Sequence, residues 1–78
     1  MNDLLEYCHK EILPYMTRKT PNEKHSVYRL KHIAEAEIGR YVSQEEMQEA
    51  LLTFGYPIST FYPLREEFFK RKGGIHLV

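Results

Sequence analysis

Apolar side chains recur roughly every three or four residues along much of the chain, a spacing that indicates helices with one buried face. In the first such segment, Asn2 or Asp3 can cap a helix whose apolar positions are Leu4, Leu5, Cys8, Ile12 and Tyr15. Pro14 lacks an amide hydrogen and crowds the preceding turn, so this helix is predicted to kink or end within residues 12–15. The polar run 17–24 predicts a loop.

The second segment has both a start signal and a stop signal. Ser26 can cap a helix that runs to about Ile38, and Gly39 follows at the position where a left-handed residue ends many helices. The apolar stripe of this helix consists of Val27, Leu30, Ala34 and Ile38. The pattern predicts a helix that buries this stripe.

The third segment carries the clearest local signals in the chain. Ser43 and Glu46 are spaced as a capping box, in which each side chain accepts a hydrogen bond from the other residue's amide. The apolar face that follows comprises Met47, Ala50, Leu51 and Phe54. Gly55 is predicted to end the helix, with Tyr56 folded back on Leu51.

The segment after Ser59 is open to two interpretations. In one, a fourth helix ends at the glycine pair 73–74. Its charge pairs would be Glu66 with Lys70 and Glu67 with Arg71. In the other, residues 68–72 and 75–78 are two strands of a hairpin. The predicted fold is mainly α: a small three- to four-helix domain, helix-turn-helix-like, with a short C-terminal β-hairpin as the alternative ending.

Length and charge narrow the class of protein. A chain of 78 residues is predicted to form a single domain, because it cannot hold two separate cores. Its parts are 1–24, an N-terminal helix and loop; 25–57, a two-helix module; and 58–78, the C-terminal helix or hairpin. Eleven Lys and Arg balance 11 Asp and Glu, which argues against strong nonspecific nucleic-acid binding. One cysteine and no long apolar run favour a cytoplasmic protein without a membrane partner.

The histidines and the cysteine do not form a recognisable catalytic or metal-binding motif. His25 and His32 are seven residues apart, whereas zinc ligands on one helix usually sit three or four apart. Cys8 and His9 are neighbours and point about 100° apart on a helix. No glycine loop of the phosphate-binding kind opens a helix. The sequence predicts a non-enzymatic protein with no metal, cofactor or small-molecule substrate.

One polar stripe of the second helix is a candidate interaction surface. Tyr28, His32 and Glu35 lie three or four residues apart on the face opposite the apolar stripe, with Lys31 beside them. Aromatic and charged side chains of this kind suit a protein interface. They suit a solvated helix face equally well, and both interpretations stay open.

A basic and aromatic mixture near the C-terminus is a candidate nucleic-acid surface. On a helix-turn-helix plan, a recognition helix begins near Ser59, and its groove-facing residues are Thr60, Tyr62 and Arg65. The cations that would contact phosphates are Lys70, Arg71 and Lys72. Two glutamates at 66–67 partly cancel this charge, so a charge-paired amphipathic helix explains the same residues.

The segment from Tyr28 to Tyr56 resembles a module of short, largely uncharacterised proteins encoded by phages, prophages and other mobile elements of bacteria. The shared pattern is Tyr-x-Leu-Lys-His, then Gly-x-Tyr-Val-Ser, then Gly-Tyr. The matching residues are Tyr28, Leu30, Lys31, His32, Glu35, Gly39, Tyr41, Val42, Ser43, Glu46, Ala50, Gly55 and Tyr56. The resemblance implies a phage or mobile-element origin in a bacterial host cell more than a particular activity.

Two hypotheses of function follow. In the first, a small phage or mobile-element protein binds another protein and inhibits or redirects host or defence machinery. Its partner is a host or defence component, or a second copy in a homodimer, since a small core gains from burying more surface. In the second, the protein is a DNA-binding regulator of helix-turn-helix or winged-helix type.

Overall fold

Helices and the turns between them make up the structure, a computed structural model that describes residues 2–72. In that range the α-helices are α1 (Asp3–Tyr7), α2 (Val27–Ile38), α3 (Gln44–Thr53) and α4 (Glu66–Lys72). Strand-like pairing within residues 2–72 is limited to two isolated antiparallel bridges. The predicted mainly α fold is confirmed.

The N-terminal helix changes its winding before it ends. The Asn2 side chain caps α1 by accepting a hydrogen bond from the Leu5 amide at 2.7 Å. After Tyr7 the chain widens into a π-helical stretch, Cys8–Ile12, and then tightens into a 3₁₀ turn, Leu13–Tyr15. Pro14 cannot donate a backbone hydrogen bond and disrupts the regular ladder. The prediction that this helix kinks or ends within residues 12–15 is confirmed.

The predicted boundaries of α2 and α3 are confirmed by their backbone geometry. Gly39 has a left-handed φ of 88°, and its amide donates to the Glu35 carbonyl at 2.9 Å. Gly55 has a φ of 95°, and the next amide donates to the Leu51 carbonyl at 3.0 Å. Both positions favour glycine because side chains with a Cβ are strained there.

The two serine caps differ. Ser43 Oγ accepts a hydrogen bond from the Glu46 amide at 3.0 Å, so half of the predicted capping box is present. The Glu46 carboxylate instead accepts from Arg40 at 2.9 Å. Ser26 occupies the cap position of α2, but within the described residues its side chain makes no capping hydrogen bond.

The segment before α4 is extended rather than helical. Its carbonyls at Thr60, Tyr62 and Pro63 accept hydrogen bonds at 2.7–2.9 Å. The donors are amides of Val27, Asn22 and Thr17, respectively. The prediction of a recognition helix that begins near Ser59 is therefore wrong: Pro63 and these long-range bonds hold an extended backbone, and the helix starts only at Glu66.

The C-terminal alternative resolves in favour of a helix over residues 66–72, and the strand interpretation of 68–72 is wrong. Residues 73–78, which include the glycine pair and the second predicted strand, lie outside the described range. The predicted charge pairs along α4 are replaced by longer-range contacts. Glu66 binds His25 at 3.0 Å and Asn22 at 3.1 Å, and Arg71 donates to the Tyr15 hydroxyl at 2.8 Å.

The core lies where α1, α2 and α3 meet the buried face of α4. Its largest fully buried side chains include Phe68, Leu4, Ile12, Leu30, Ile33, Met47 and Leu51. Cys8 is also fully buried, as its place on the apolar side of the first helix predicts. None of the helices within residues 2–72 is long and apolar enough to cross a membrane.

Candidate interaction surface

The joint between α2 and α3 brings the predicted stripe together with one further aromatic residue. We call this the joint surface, and it consists of Tyr28, Lys31, His32, Glu35 and Tyr41. The first four share one side of α2 because they are three or four residues apart on a helix. Tyr41 joins them because the chain turns at Gly39, two residues before it.

Lys31 lies underneath the joint surface instead of projecting from it. The residue is 6% exposed, although the sequence places it beside an outward stripe. Its ammonium group is 4.9 Å from the centroid of the Tyr41 ring and 5.5 Å from that of Tyr28. It also donates to Glu35 Oε1 at 3.3 Å. Lys31 is held by two aromatic rings and one carboxylate, which compensate for its burial.

Glu35 fixes the geometry of the joint. Its Oε1 accepts a hydrogen bond from the Val42 amide at 3.2 Å, and its Oε2 lies 2.9 Å from His32 Nδ1. The hydrogen bond from the Val42 amide has the largest effect and lowers the pKa of this carboxyl; burial opposes it, and Lys31 and His32 lower the pKa further. A carboxylate at Glu35 therefore links the last turn of α2 to the start of α3.

The outer layer of the joint surface is aromatic. Tyr28 is 58% exposed and Tyr41 is 72% exposed. The edge of the His32 ring meets Tyr28 with a centroid distance of 4.4 Å. Sequence reasoning left Tyr41 out of the candidate surface. The available signal was a large aromatic residue two positions after a helix-ending glycine, where the chain must turn at the surface.

The six residues predicted to contact nucleic acid do not form one surface. Tyr62 is buried at 4% exposure, because the extended segment turns its ring inward and its hydroxyl accepts from the Ser59 amide. Lys72 is buried at 8% exposure between Glu11 and Glu37. Those two predicted contacts are therefore wrong. Thr60, Arg65, Lys70 and Arg71 are exposed, and the Arg71 guanidinium is bound to a tyrosine.

A second polar cluster ties three helical segments together. The Lys72 ammonium lies 3.0 Å from Glu11 Oε1 and 3.0 Å from Glu37 Oε1. Tyr7 donates to Glu37 at 2.6 Å, and burial together with this hydrogen bond raises the pKa of the Tyr7 hydroxyl. The lysine is paired on both sides, so the arrangement connects α4 to the N-terminal helix and to α2.

The thiol of the buried Cys8 and possible metal-binding clusters are the remaining candidates for chemistry in the described part of the chain. Burial raises the pKa of the Cys8 thiol to about 12, so the nucleophilic thiolate is disfavoured at neutral pH. No group of three or more His, Cys, Asp or Glu side chains within residues 2–72 could hold a metal ion.

Comparison of the chain with protein-family models, curated proteins and solved structures gave no match. The resemblance to phage and mobile-element proteins therefore stays a prediction. The joint surface is the stronger of the two candidate surfaces, because its residues lie together around an exposed aromatic layer.

Proposed function

We propose that this protein is a non-enzymatic binding protein that recognises a protein partner through the joint surface. One observation carries the proposal: two exposed tyrosine rings, Tyr28 and Tyr41, are held in place by a buried lysine ammonium between them. Tyrosine is enriched among the residues that contribute most to binding energy at protein interfaces.

The rigidity of the joint surface favours binding. A partner that orders mobile side chains loses affinity through their entropy, about 0.5–1.5 kcal/mol for each immobilised long side chain. Here Lys31 donates a hydrogen bond to Glu35, and Glu35 accepts one from the Val42 amide. A partner that covers the two tyrosine rings therefore loses little of this entropy, because Lys31 and Glu35 beneath the rings are already ordered.

The proposed biological role is occlusion of a host or defence protein by a small protein of a phage or mobile element, in the cytoplasm of a bacterial cell. All five residues of the joint surface are among those that carry the resemblance to mobile-element proteins. A protein of this size inhibits most simply by covering a surface of its target, since such inhibition needs no chemistry of its own.

Affinity capture from a lysate of the bacterium that carries the gene tests the proposal. The wild-type chain is compared with a Tyr28→Ala/Tyr41→Ala variant. The control variant is Leu52→Ala/Ile58→Ala, which removes the two other large apolar side chains that are strongly exposed. We expect the wild type and the control to retain one stoichiometric protein, and the tyrosine variant to lose it by about tenfold or more.

Two observations would count against this proposal, one from the capture experiment and one from a DNA-binding experiment. A partner retained equally by the tyrosine variant, with its helical circular dichroism intact, would overturn the proposal. A gel shift of labelled duplex DNA at low salt, lost when Arg65, Lys70 and Arg71 are changed to alanine, would instead support the DNA-binding alternative.

A further inference from the structure

An open apolar groove lies beyond the C-terminal end of α3. Its cavity has a volume of about 300 Å³, and we call it the proline groove. It is lined mainly by Pro21, Tyr56, Pro57, Ile58, Phe61 and Pro63. Ile58 is 58% exposed there. A partner that covered the groove would remove these apolar side chains from water.

One rim of the proline groove is basic. The loop 17–24 is hydrogen-bonded to the groove wall, because the Thr17 amide donates to the Pro63 carbonyl at 2.7 Å and the Asn22 amide to that of Tyr62 at 2.9 Å. We call this segment the basic loop. Its charged residues are Arg18, Lys19, Glu23 and Lys24, all exposed, which gives it a net charge of +2.

A stripe of the complementary kind lies on α3, which adjoins the groove. Glu45, Glu49 and Leu52 are exposed and lie on the outward side of α3, and we call them the acidic stripe. Leu52 is 49% exposed. The helix α3 contains no lysine or arginine. The stripe adjoins the groove, since Gln48 of the same helix donates to the Ser59 carbonyl at 2.9 Å and Gly55 turns the chain from one into the other.

We propose that the proline groove and the basic loop receive the acidic stripe of a second copy of this chain, in a two-fold symmetric dimer. A stripe that presents two glutamates and one leucine matches a groove that presents apolar side chains beside cations. The two halves of the contact lie side by side on one molecule. A two-fold axis between them brings each stripe onto the partner's groove and closes the assembly at two copies.

Charge complementarity selects this occupant over a nucleic acid. The acidic stripe adjoins the groove through Gln48 and Ser59, and its carboxylates would repel a phosphate backbone bound to the basic loop. In the dimer the same carboxylates face cations instead. Leu52 of one copy packs against Ile58 of its partner, while Glu45 and Glu49 approach Arg18 and Lys19.

A charge-swap experiment on the full chain tests the dimer. One variant carries Glu45→Lys and Glu49→Lys, and the other carries Arg18→Glu and Lys19→Glu. All four positions are exposed, so both variants keep the fold, which circular dichroism verifies. Sedimentation is measured for the wild type, for each variant alone and for an equimolar mixture, at low salt and at high salt.

We expect the wild type to dimerise more strongly at low salt, and each variant alone to dimerise at least about tenfold more weakly. The mixture should form a heterodimer, because the cations of the first variant then face the glutamates of the second at both contacts. A wild type that stays monomeric at about 1 mM, variants that still dimerise alone, or a mixture that stays monomeric would each overturn the proposal. No joint-surface residue is among the residues of this contact, so those outcomes leave the proposed function standing.

Discussion

The α2–α3 unit, residues 25–57, and the extended segment 59–65 are held in different ways. Helix ends in the unit are closed by hydrogen bonds between residues that are close in sequence, such as Gly39 with Glu35 and Ser43 with Glu46. The extended segment is held by amides of residues 17–27 and by the Tyr15 carbonyl. Local hydrogen bonds keep the regular spacing of side chains along a helix. Long-range hydrogen bonds instead orient each side chain of the extended segment separately.

This difference explains the contrasting outcomes of the two predicted surfaces. Residues predicted to lie together on α2 do lie together, and the neighbouring turn adds Tyr41 to them. Residues predicted to lie together after Ser59 are separated, with Tyr62 and Lys72 buried and Thr60 exposed. A stripe on a helix is a reliable surface prediction only when the helix itself is secure.

The largest expected effect concerns Tyr62, since long-range packing holds the extended segment. Tyr62→Ala should lower the free energy of unfolding by about 3 kcal/mol or more, because it opens a cavity under the segment and removes the hydroxyl bound by the Ser59 amide. Chemical denaturation monitored by circular dichroism measures it. Thr60→Ala is the matched control, and its exposed side chain predicts a change within about 0.5 kcal/mol. Equal effects of the two changes would contradict the assignment of Tyr62 to the core.

The second prediction separates the two lysines of α4. Lys72→Met keeps most of the apolar stem and leaves the carboxylates of Glu11 and Glu37 without their shared cation. We expect a loss of about 2 kcal/mol, between the values for surface and buried ion pairs, in the same denaturation experiment. Lys70→Met removes an exposed charge and should change stability by less than about 0.5 kcal/mol. A Lys72 variant as stable as the Lys70 variant would show that the cluster does not anchor α4.

The third prediction compares the two helix caps. Ser43→Ala should cost about 1 kcal/mol, because it removes the acceptor for the Glu46 amide. Ser26→Ala should cost only a few tenths of a kcal/mol, since the Ser26 side chain makes no capping bond in the described structure. Thermal unfolding of both variants measures the difference. A larger loss at Ser26 would contradict the geometry of the α2 start.

The smallest effect concerns pH and involves one carboxyl of the α2–α3 unit and one that directly follows the extended segment. The pKa of Glu35 is lowered mainly by the Val42 amide, and that of Glu66 mainly by its hydrogen bond with His25. Both groups are therefore ionised more readily in the folded than in the unfolded chain. The stability they contribute is fully present above the unfolded value and is lost as the pH falls below about 5 and through the folded pKa.

Urea unfolding at a series of pH values from about 7 down to about 3 measures this loss. Glu35→Gln should flatten part of the acid decline, because the amide cannot titrate. A Glu35→Gln profile with the same slope as the wild type would show that this carboxyl is not linked to folding.

The sequence by itself determined the parts of the molecule that obey local rules. Pro14 set the end of the helical stretch that runs from α1 to Tyr15. Gly39 and Gly55 set the ends of α2 and α3, and Ser43 set the start of α3. Each of these effects acts within about one helical turn, so it depends on residues that are adjacent in the sequence. The stripe of the candidate surface followed from the same regularity.

Only the tertiary structure decided the burial and the partners of Lys31, Tyr62 and Lys72. All three carry polar groups of a kind that usually lies at the surface, yet all three are buried. Their partners are the Tyr41 ring, the Ser59 amide and the carboxylates of Glu11 and Glu37. Burial of a polar group depends on what compensates it, and that compensation is fixed only when distant segments of the chain pack together.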